Sequence, residues 1–382
     1  MTLLNKKSAV LAMAAAFSGV AFAQSNVTVY GVVDVGYAYT SGDRAGGGSS
    51  NFSGIAPNLL GGSRIGFKGE EGLGNGLKAV FVLEYALDPD VNSGIGGTSN
   101  TSRQSYIGLN STSFGTVALG RQYAPGYAAS GRNNPFGGST RQSPLNRLTG
   151  ANTITGDGAA RISNSISYAS PKWNGFSVNA IYGFGESLSA PGVSTSDNGF
   201  FGAGLNYANG PLNLDLVFQQ RRDVQTTAAP AGTTHWSLPG GVVATGDDIN
   251  EWAVMGSYDL KVVKLFASYQ AMDDKNGTSA NEGSNKIWSA GVNVPVFGNG
   301  SIQLAYAKAD WDRTNAGSTD GWAIGYRHSL SKRTTLYTTY GVLDNDDRLP
   351  RYASWGVGSS GALGGNLGGK VSIFTAGINH SF

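Results

Sequence analysis

From residue 27 onward the chain alternates between apolar and polar positions. In Val27-Thr28-Val29-Tyr30-Gly31-Val32-Val33-Asp34-Val35-Gly36-Tyr37 the odd positions are apolar or aromatic and the even ones mostly small or polar. The same period returns at Leu77/Ala79/Phe81/Leu83/Tyr85, at Val178/Ala180/Tyr182/Phe184, at Leu212/Leu214/Leu216/Phe218 around Asp215, at Val263/Leu265/Ala267/Tyr269 and at Trp322/Ile324/Tyr326. Successive side chains of a strand point to opposite faces, so each segment predicts a strand with one apolar face. No helical or heptad period competes with it.

A soluble sandwich and a membrane barrel share that period, and the connectors separate them. Short turns at 70–76, 111–114, 170–174, 209–211 and 330–332 alternate with long polar connectors at 41–58, 122–160, 223–248 and 343–369. That asymmetry predicts an all-β fold, a transmembrane antiparallel barrel of about sixteen strands, wide enough to leave an aqueous channel. At the chain end Phe374, Ala376, Ile378, His380 and Phe382 share one face. In lipid this last strand must close on the first, because an open edge would leave backbone groups unpaired. Tyr30, Tyr37, Tyr39, Tyr85, Tyr168, Tyr207, Tyr258 and Tyr326 suit the aromatic girdles at the two interfaces.

Composition narrows the compartment. Lys6 and Lys7, the apolar run Ser8 to Val20 and Ala21-Phe22-Ala23 read as a cleaved signal peptide over 1–23, which leaves 24–382 as a single barrel domain. The signal removes two of the 27 Lys+Arg and none of the 25 Asp+Glu, so the remainder balances at 25 against 25. A neutral chain argues against nucleic acid as a partner. Cysteine is absent, and 58 glycines make the chain too Gly-rich for a helical globule. An exported chain without disulfides must be held by its core or by closed hydrogen bonding.

The segments VTVYGVVDVGYAY (27–39), SRIGFKGEEGLGNGLKAVFVLEY (63–85), SRQSYIGL (102–109), FGTVALGRQY (114–123), RISNSISYASP (161–171), YRHSLSKRT (326–334) and the terminal AGINHSF resemble the general porins of Gram-negative outer membranes, in particular their beta-proteobacterial branch. The resemblance spans nearly the whole chain. It implies a sixteen-stranded barrel, a homotrimer, a third extracellular loop folded inward to narrow the pore, and passage of ions and small hydrophilic solutes, in several members with a preference for anions. An apolar flank near Tyr106 and the chain ends would carry the subunit packing, and outer-membrane lipid and lipopolysaccharide would surround the barrel.

Parity and resemblance together nominate the site. With Ile65 and Phe67 outward, Arg64 faces the lumen; with Ile162, Ile166 and Tyr168 outward, so does Arg161. Parity at Arg103 is weak, but positions matching Arg64, Arg103 and Arg161 resemble the family's basic cluster on the pore wall. The connector 122–160 is the expected constriction loop, bearing Arg132, Arg141 and Arg147 against a lone Asp157, with Glu84 and Asp34 as expected counter-charges. Rings of arginine select anions, so an anion-preferring eyelet is expected.

Other chemistry is thin. Gly356-Val357-Gly358-Ser359-Ser360-Gly361 matches a dinucleotide fingerprint, but no helix-period segment follows it. His235, His328 and His380 do not assemble into a triad or a zinc site, so neither an enzyme nor a cofactor is expected, although a barrel hydrolase using His328 is the alternative from that class. Asp344, Asp346 and Asp347, like Asp273 and Asp274, read as solvated loop acids rather than Ca²⁺ or Mg²⁺ sites. A secreted β-sandwich binding module is the second alternative.

Overall fold

The computed structural model describes residues 26–43, 48–97, 102–148, 152–155, 160–185, 198–224, 247–274, 284–312, 317–346, 355 and 369–382. The expected signal peptide, Asp157, His235, Asp347 and the 356–361 glycine motif lie outside them. Each alternating segment is a strand: β1 (Asn26–Asp43), β2 (Ser49–Pro57), β3 (Arg64–Gly74), β4 (Leu77–Ala86), β5 (Ser102–Ser111), β6 (Gly115–Tyr123), β7 (Arg161–Ala169), β8 (Phe176–Gly183) and β9 (Gly199–Asn209). The second half continues with β10 (Leu212–Arg222), β11 (Ile249–Asp259), β12 (Lys264–Asp274), β13 (Asn285–Val296), β14 (Gly300–Trp311), β15 (Ser318–Ser329), β16 (Thr334–Asn345) and β17 (Lys370–Ser381). All pair antiparallel with their neighbours in one closed sheet.

Closure runs from Val32↔Ser381 to Gly42↔Val371, and Gly31 and Phe382 exchange both backbone hydrogen bonds at 3.1 Å. The ring therefore ends without a raw edge, as hydrocarbon requires. β1 pairs with β2 down to Val35↔Pro57 and with β3 from Val32↔Arg64, so β2 and β3 are two halves of one interrupted barrel strand. Counted that way the barrel has sixteen strands. The expected long connector at 41–58 is thereby corrected: β1 runs to Asp43, β2 starts at Ser49, and the interruption at 58–63 lies inside the wall. Local pattern hides β2 because its outward positions carry Ser49, Asn51 and Ser53 beside the single apolar Ile55, while Phe52 packs inward.

The faces are inverted relative to a soluble protein. Val33, Tyr37, Leu214, Leu216, Phe218, Val254 and Ile324 are exposed on the outer wall, while Asp34, Thr40, Asp215, Gln219, Gln270 and Gln303 are buried inside. Aromatic pairs span neighbouring strands on the outside, Trp252 with Tyr269 at 5.4 Å, Trp288 with Tyr306 at 5.2 Å and Trp322 with Tyr340 at 5.7 Å between centroids. Tyr30 is a correction to the expected girdle: its hydroxyl donates to Glu84 at 3.1 Å, on the lumen side, as its even position requires.

The connector between β6 and β7 folds into the lumen. It holds α1 (Pro125–Arg132), entered through proline at the first turn, and the single turn α2 (Pro144–Leu148). The Gly126 amide donates to Gln219 on the inner face of β10 at 2.7 Å. A Cβ at Gly126 would stand 2.7 Å from the Ile154 backbone, so only glycine lets the two passes of the loop approach. Farther along, Leu145 and Leu148 join Leu59, Ile287, Leu343, Trp355 and Ile373 in a buried apolar cluster. The loop is thus packed against the wall on both sides of the barrel.

Candidate functional site

Three local breaks in strand regularity position the wall arginines. Between Leu83↔Ser105 and Tyr85↔Ser102, Glu84 alone faces the two residues Arg103 and Gln104, a β-bulge. The weak alternation at Arg103 reflects this bulge, which aims its side chain at Glu84. Between Gly120↔Ser165 and Gln122↔Ile162, Arg121 faces Ser163 and Asn164, and Asn164 takes φ 46°. Parity changes there, so Ile162 packs inward against Ala124, Ile181 and Phe200 instead of facing out as the regular alternation predicts. The third break is the 58–63 interruption directly before Arg64.

Glu84, buried, joins two of these arginines: it accepts from Arg103 Nε at 2.7 Å and lies 3.4 Å from Arg64 Nε. Arg64 also donates to the Gly62 carbonyl at 2.8 Å. Arg103 donates to the Tyr123 hydroxyl at 2.9 Å, and Arg161 reaches the same oxygen at 3.5 Å. The Arg161 guanidinium lies 5.0 Å from the Tyr123 ring centre and 5.8 Å from that of Tyr127, two rings stacked at 3.9 Å. Burial pushes the Tyr127 hydroxyl of α1 up, keeping it a neutral group beside the cations. Arg64, Arg103 and Arg161 are thus linked through one carboxylate and one phenol, and Arg161 meets the inward loop.

The loop arginines are spent differently. Arg132 pairs with Asp215 of β10 at 2.6 Å, where Asn133 also donates at 2.7 Å. Arg141 donates to the Trp355 carbonyl at 2.7 Å, and Arg147 is buried within α2. The structure does not bring these three to the wall cluster through any direct contact among the described residues. Asp34 is also a correction. Its fully buried carboxylate accepts from the amides of Leu59, Leu60 and Gly61, from the Tyr337 hydroxyl and from Asn379, and among the described residues makes no ion pair with Arg64, Arg103 or Arg161.

Several contributors are silent in the sequence. Glu251 accepts from the Thr153 amide and hydroxyl and from Arg221 at 2.7 Å, and Gln219 and Gln270 bond Thr153 and Asn152. Arg327 donates to the Phe136 carbonyl at 3.2 Å. Asp215 could be placed inward by its position between Leu214 and Leu216, but its loop partners are more than eighty residues away in sequence. Among the described residues no cluster of His, Asp and Glu could hold a metal. His328 Nδ1 lies 3.1 Å from the Tyr326 hydroxyl. A closed barrel with an apolar exterior excludes the sandwich alternative.

Comparison with known proteins agrees with this architecture. The family model described as Gram-negative porin matches residues 9–348. The chain belongs to the Gram-negative porin family. It is similar to outer membrane porin protein 32 of Delftia acidovorans, 32% identical over 99% of this chain and 100% of that one. It is also similar to the major outer membrane protein P.IB of Neisseria gonorrhoeae, 29% identical over 84% of this chain and 89% of the other. Among solved structures the anion-selective porin from Comamonas acidovorans superposes with a TM-score of 0.73 at 29% identity, covering 94% of this chain and all of that one. The protein is an outer-membrane porin with many membrane crossings, and its family and relatives are channels.

Proposed function

We propose that the chain is a passive diffusion channel for ions and small hydrophilic solutes that prefers anions, with its eyelet set by Arg64, Arg103 and Arg161 opposite the inward loop. The observation that carries this reading is the linkage of three guanidinium groups through one carboxylate, Glu84, and one neutral phenol, Tyr123: three positive charges against Glu84 leave a net charge of two. Arginine stays protonated at any relevant pH and presents several donors to a passing carboxylate or phosphate. Arg132 is neutralised by Asp215 and ties the loop to the wall, and Arg141 ties it to the Trp355 carbonyl, so the net positive charge of this reading comes from the wall. The name of the structural relative from Comamonas acidovorans, an anion-selective porin, supports the sign.

A homotrimer in outer-membrane lipid and lipopolysaccharide is part of the same reading, supported by a trimer form of OmpT, an outer membrane protein of Vibrio cholerae, that shares the fold with a TM-score of 0.60. Residues 1–23 act as the cleaved export signal, leaving 24–382 as the barrel domain. The test of selectivity is the zero-current potential across a planar bilayer under a KCl gradient. Chloride should pass more readily than potassium, and replacing the three wall arginines by Ser should weaken or reverse that preference with the barrel intact. The preference should fade near 1 M salt, where the screening length falls to about 3 Å. A cation-preferring wild type, or a preference unchanged in the triple variant, would sink the proposal.

A further inference from the structure

The buried Asp34 carboxylate accepts five hydrogen bonds. Its Oδ1 accepts from Leu59 N at 2.8 Å, Leu60 N at 3.2 Å and the Tyr337 hydroxyl at 2.9 Å; its Oδ2 accepts from Gly61 N at 3.3 Å and Asn379 Nδ2 at 2.8 Å. Three successive amides turned toward one anion form a nest, here folded around a side chain of the protein itself. The backbone of the same residue ties both ends of the segment. Asn58 N donates to the Asp34 carbonyl at 3.0 Å, and the Ser63 hydroxyl accepts from Asp34 N at 3.0 Å. Six residues, 58–63, are thereby folded into the space opposite Val33 and Asp34, which the ladder would otherwise fill with two.

That excursion touches both halves of the eyelet. Its Gly62 carbonyl accepts from Arg64, and a Cβ on Gly62 would stand 2.9 Å from Arg103 Nη1, so the guanidinium packs directly on this glycine. Its Leu59 carbonyl accepts from the Ser139 hydroxyl of the inward loop at 2.8 Å, and the Leu59 side chain is fully buried in the cluster that holds Leu145 and Leu148. One carboxylate therefore fixes a segment on which two wall arginines and the constriction loop both rest.

We propose that Asp34 is a positioning residue for the eyelet, acting through the 58–63 excursion on Arg64, Arg103 and the loop without touching the solute. The proposal rests on the anion-preferring reading for the sign of one readout and is separable from it. Two roles for Asp34 predict opposite signs. If it acted only as a nearby negative charge, Asp34→Asn would strengthen anion preference. As a positioning residue its loss leaves the nest amides without their anion, frees Gly62 and Leu59, and scatters the arginines and the loop.

The experiment is bilayer recording on the full-length porin with three variants: Asp34→Asn, Gly62→Ala, which presses on Arg103 without changing any charge, and Ser139→Ala, which cuts the link to the loop. Asp34→Asn should lower the chloride-to-potassium permeability ratio by about twofold or more at low salt, where screening is weakest, and raise open-channel current noise. Gly62→Ala should shift the ratio in the same direction, and Ser139→Ala should raise noise with little change in ratio. A stronger anion preference in Asp34→Asn, or a ratio and noise equal to wild type, would overturn the assignment. If Asp34→Asn fails to assemble, the other two variants decide it, and wild-type behaviour in both overturns it. A cation-preferring wild type would refute the functional reading alone, since the noise in the three variants still reports on positioning.

Discussion

At the scale of single residues, the proposed anion preference rests on a short count of charges, and Glu84 is the sensitive one. It is the only carboxylate in contact with Arg64 and Arg103 among the described residues. Glu84→Gln keeps an acceptor for both arginines and removes one negative charge. A unit charge about 6 Å from a passing ion is worth about 0.7 kcal/mol in water, or roughly threefold in local anion concentration at low salt. The variant should therefore strengthen anion preference by about that factor in the zero-current potential, opposite in sign to the effect expected of Asp34→Asn. An unchanged or weakened preference would mean that the guanidiniums had moved when their partner was lost.

At the scale of elements, the inward loop is fastened to the wall by carboxylates as well as by its own hydrogen bonds, such as those of Asn146 to the Gly137 and Ser139 carbonyls. Asp215 takes Arg132 and Asn133 on one flank, and Glu251 takes the Thr153 amide and hydroxyl on the other. A hydrogen bond to a charged group contributes about 1.5–3 kcal/mol, so Glu251→Ala should speed exchange of the Thr153 amide by about 10- to 100-fold. Hydrogen exchange followed by mass spectrometry on peptides covering 152–155 reads this directly, and protection equal to wild type would place the anchoring elsewhere. The barrel strands should keep their protection, because the ladder bonds of β11 to β10 and β12 do not involve the Glu251 side chain. The strands themselves could be read from alternation, and their turns from polar breaks. The breaks in regularity beside Arg64, Arg103 and Arg161 could not, because a bulge adds a residue without changing composition, and regular parity then sends Ile162 to the wrong face.

At the scale of the whole molecule, the exterior is a solvent boundary facing hydrocarbon. Leu216 and Val254 are register partners exposed at the middle of β10 and β11. Leu216→Arg should cost about 2–4 kcal/mol if the site lies near the bilayer midplane, whereas a charge change in the lumen leaves insertion untouched. Equilibrium unfolding from lipid vesicles in guanidinium measures the difference. A cost no larger than that of the lumen change Lys68→Glu, at an exposed side chain 5.3 Å from the Tyr30 ring centre, would contradict the assignment of faces.

The sequence by itself determined the class of this protein. Period-two alternation, an apolar set on one parity and a polar set on the other, and short turns alternating with long connectors admit few structures other than a wide closed barrel, since backbone pairing in lipid permits no edge. It also determined that arginines would stand at Arg64, Arg103 and Arg161 and a carboxylate at Glu84. Only the tertiary structure decided how those groups meet. Glu84 and Arg103 face each other across a bulge, Arg161 lies over two stacked tyrosines, Arg132 is drawn to Asp215, and Asp34 turns from the eyelet to an internal nest. Alternation records which side of a strand a residue takes, but the partner across the lumen is set by register, strand tilt and loop path. Those depend on contacts between residues as far apart as Asp34 and Tyr337, which no local pattern encodes.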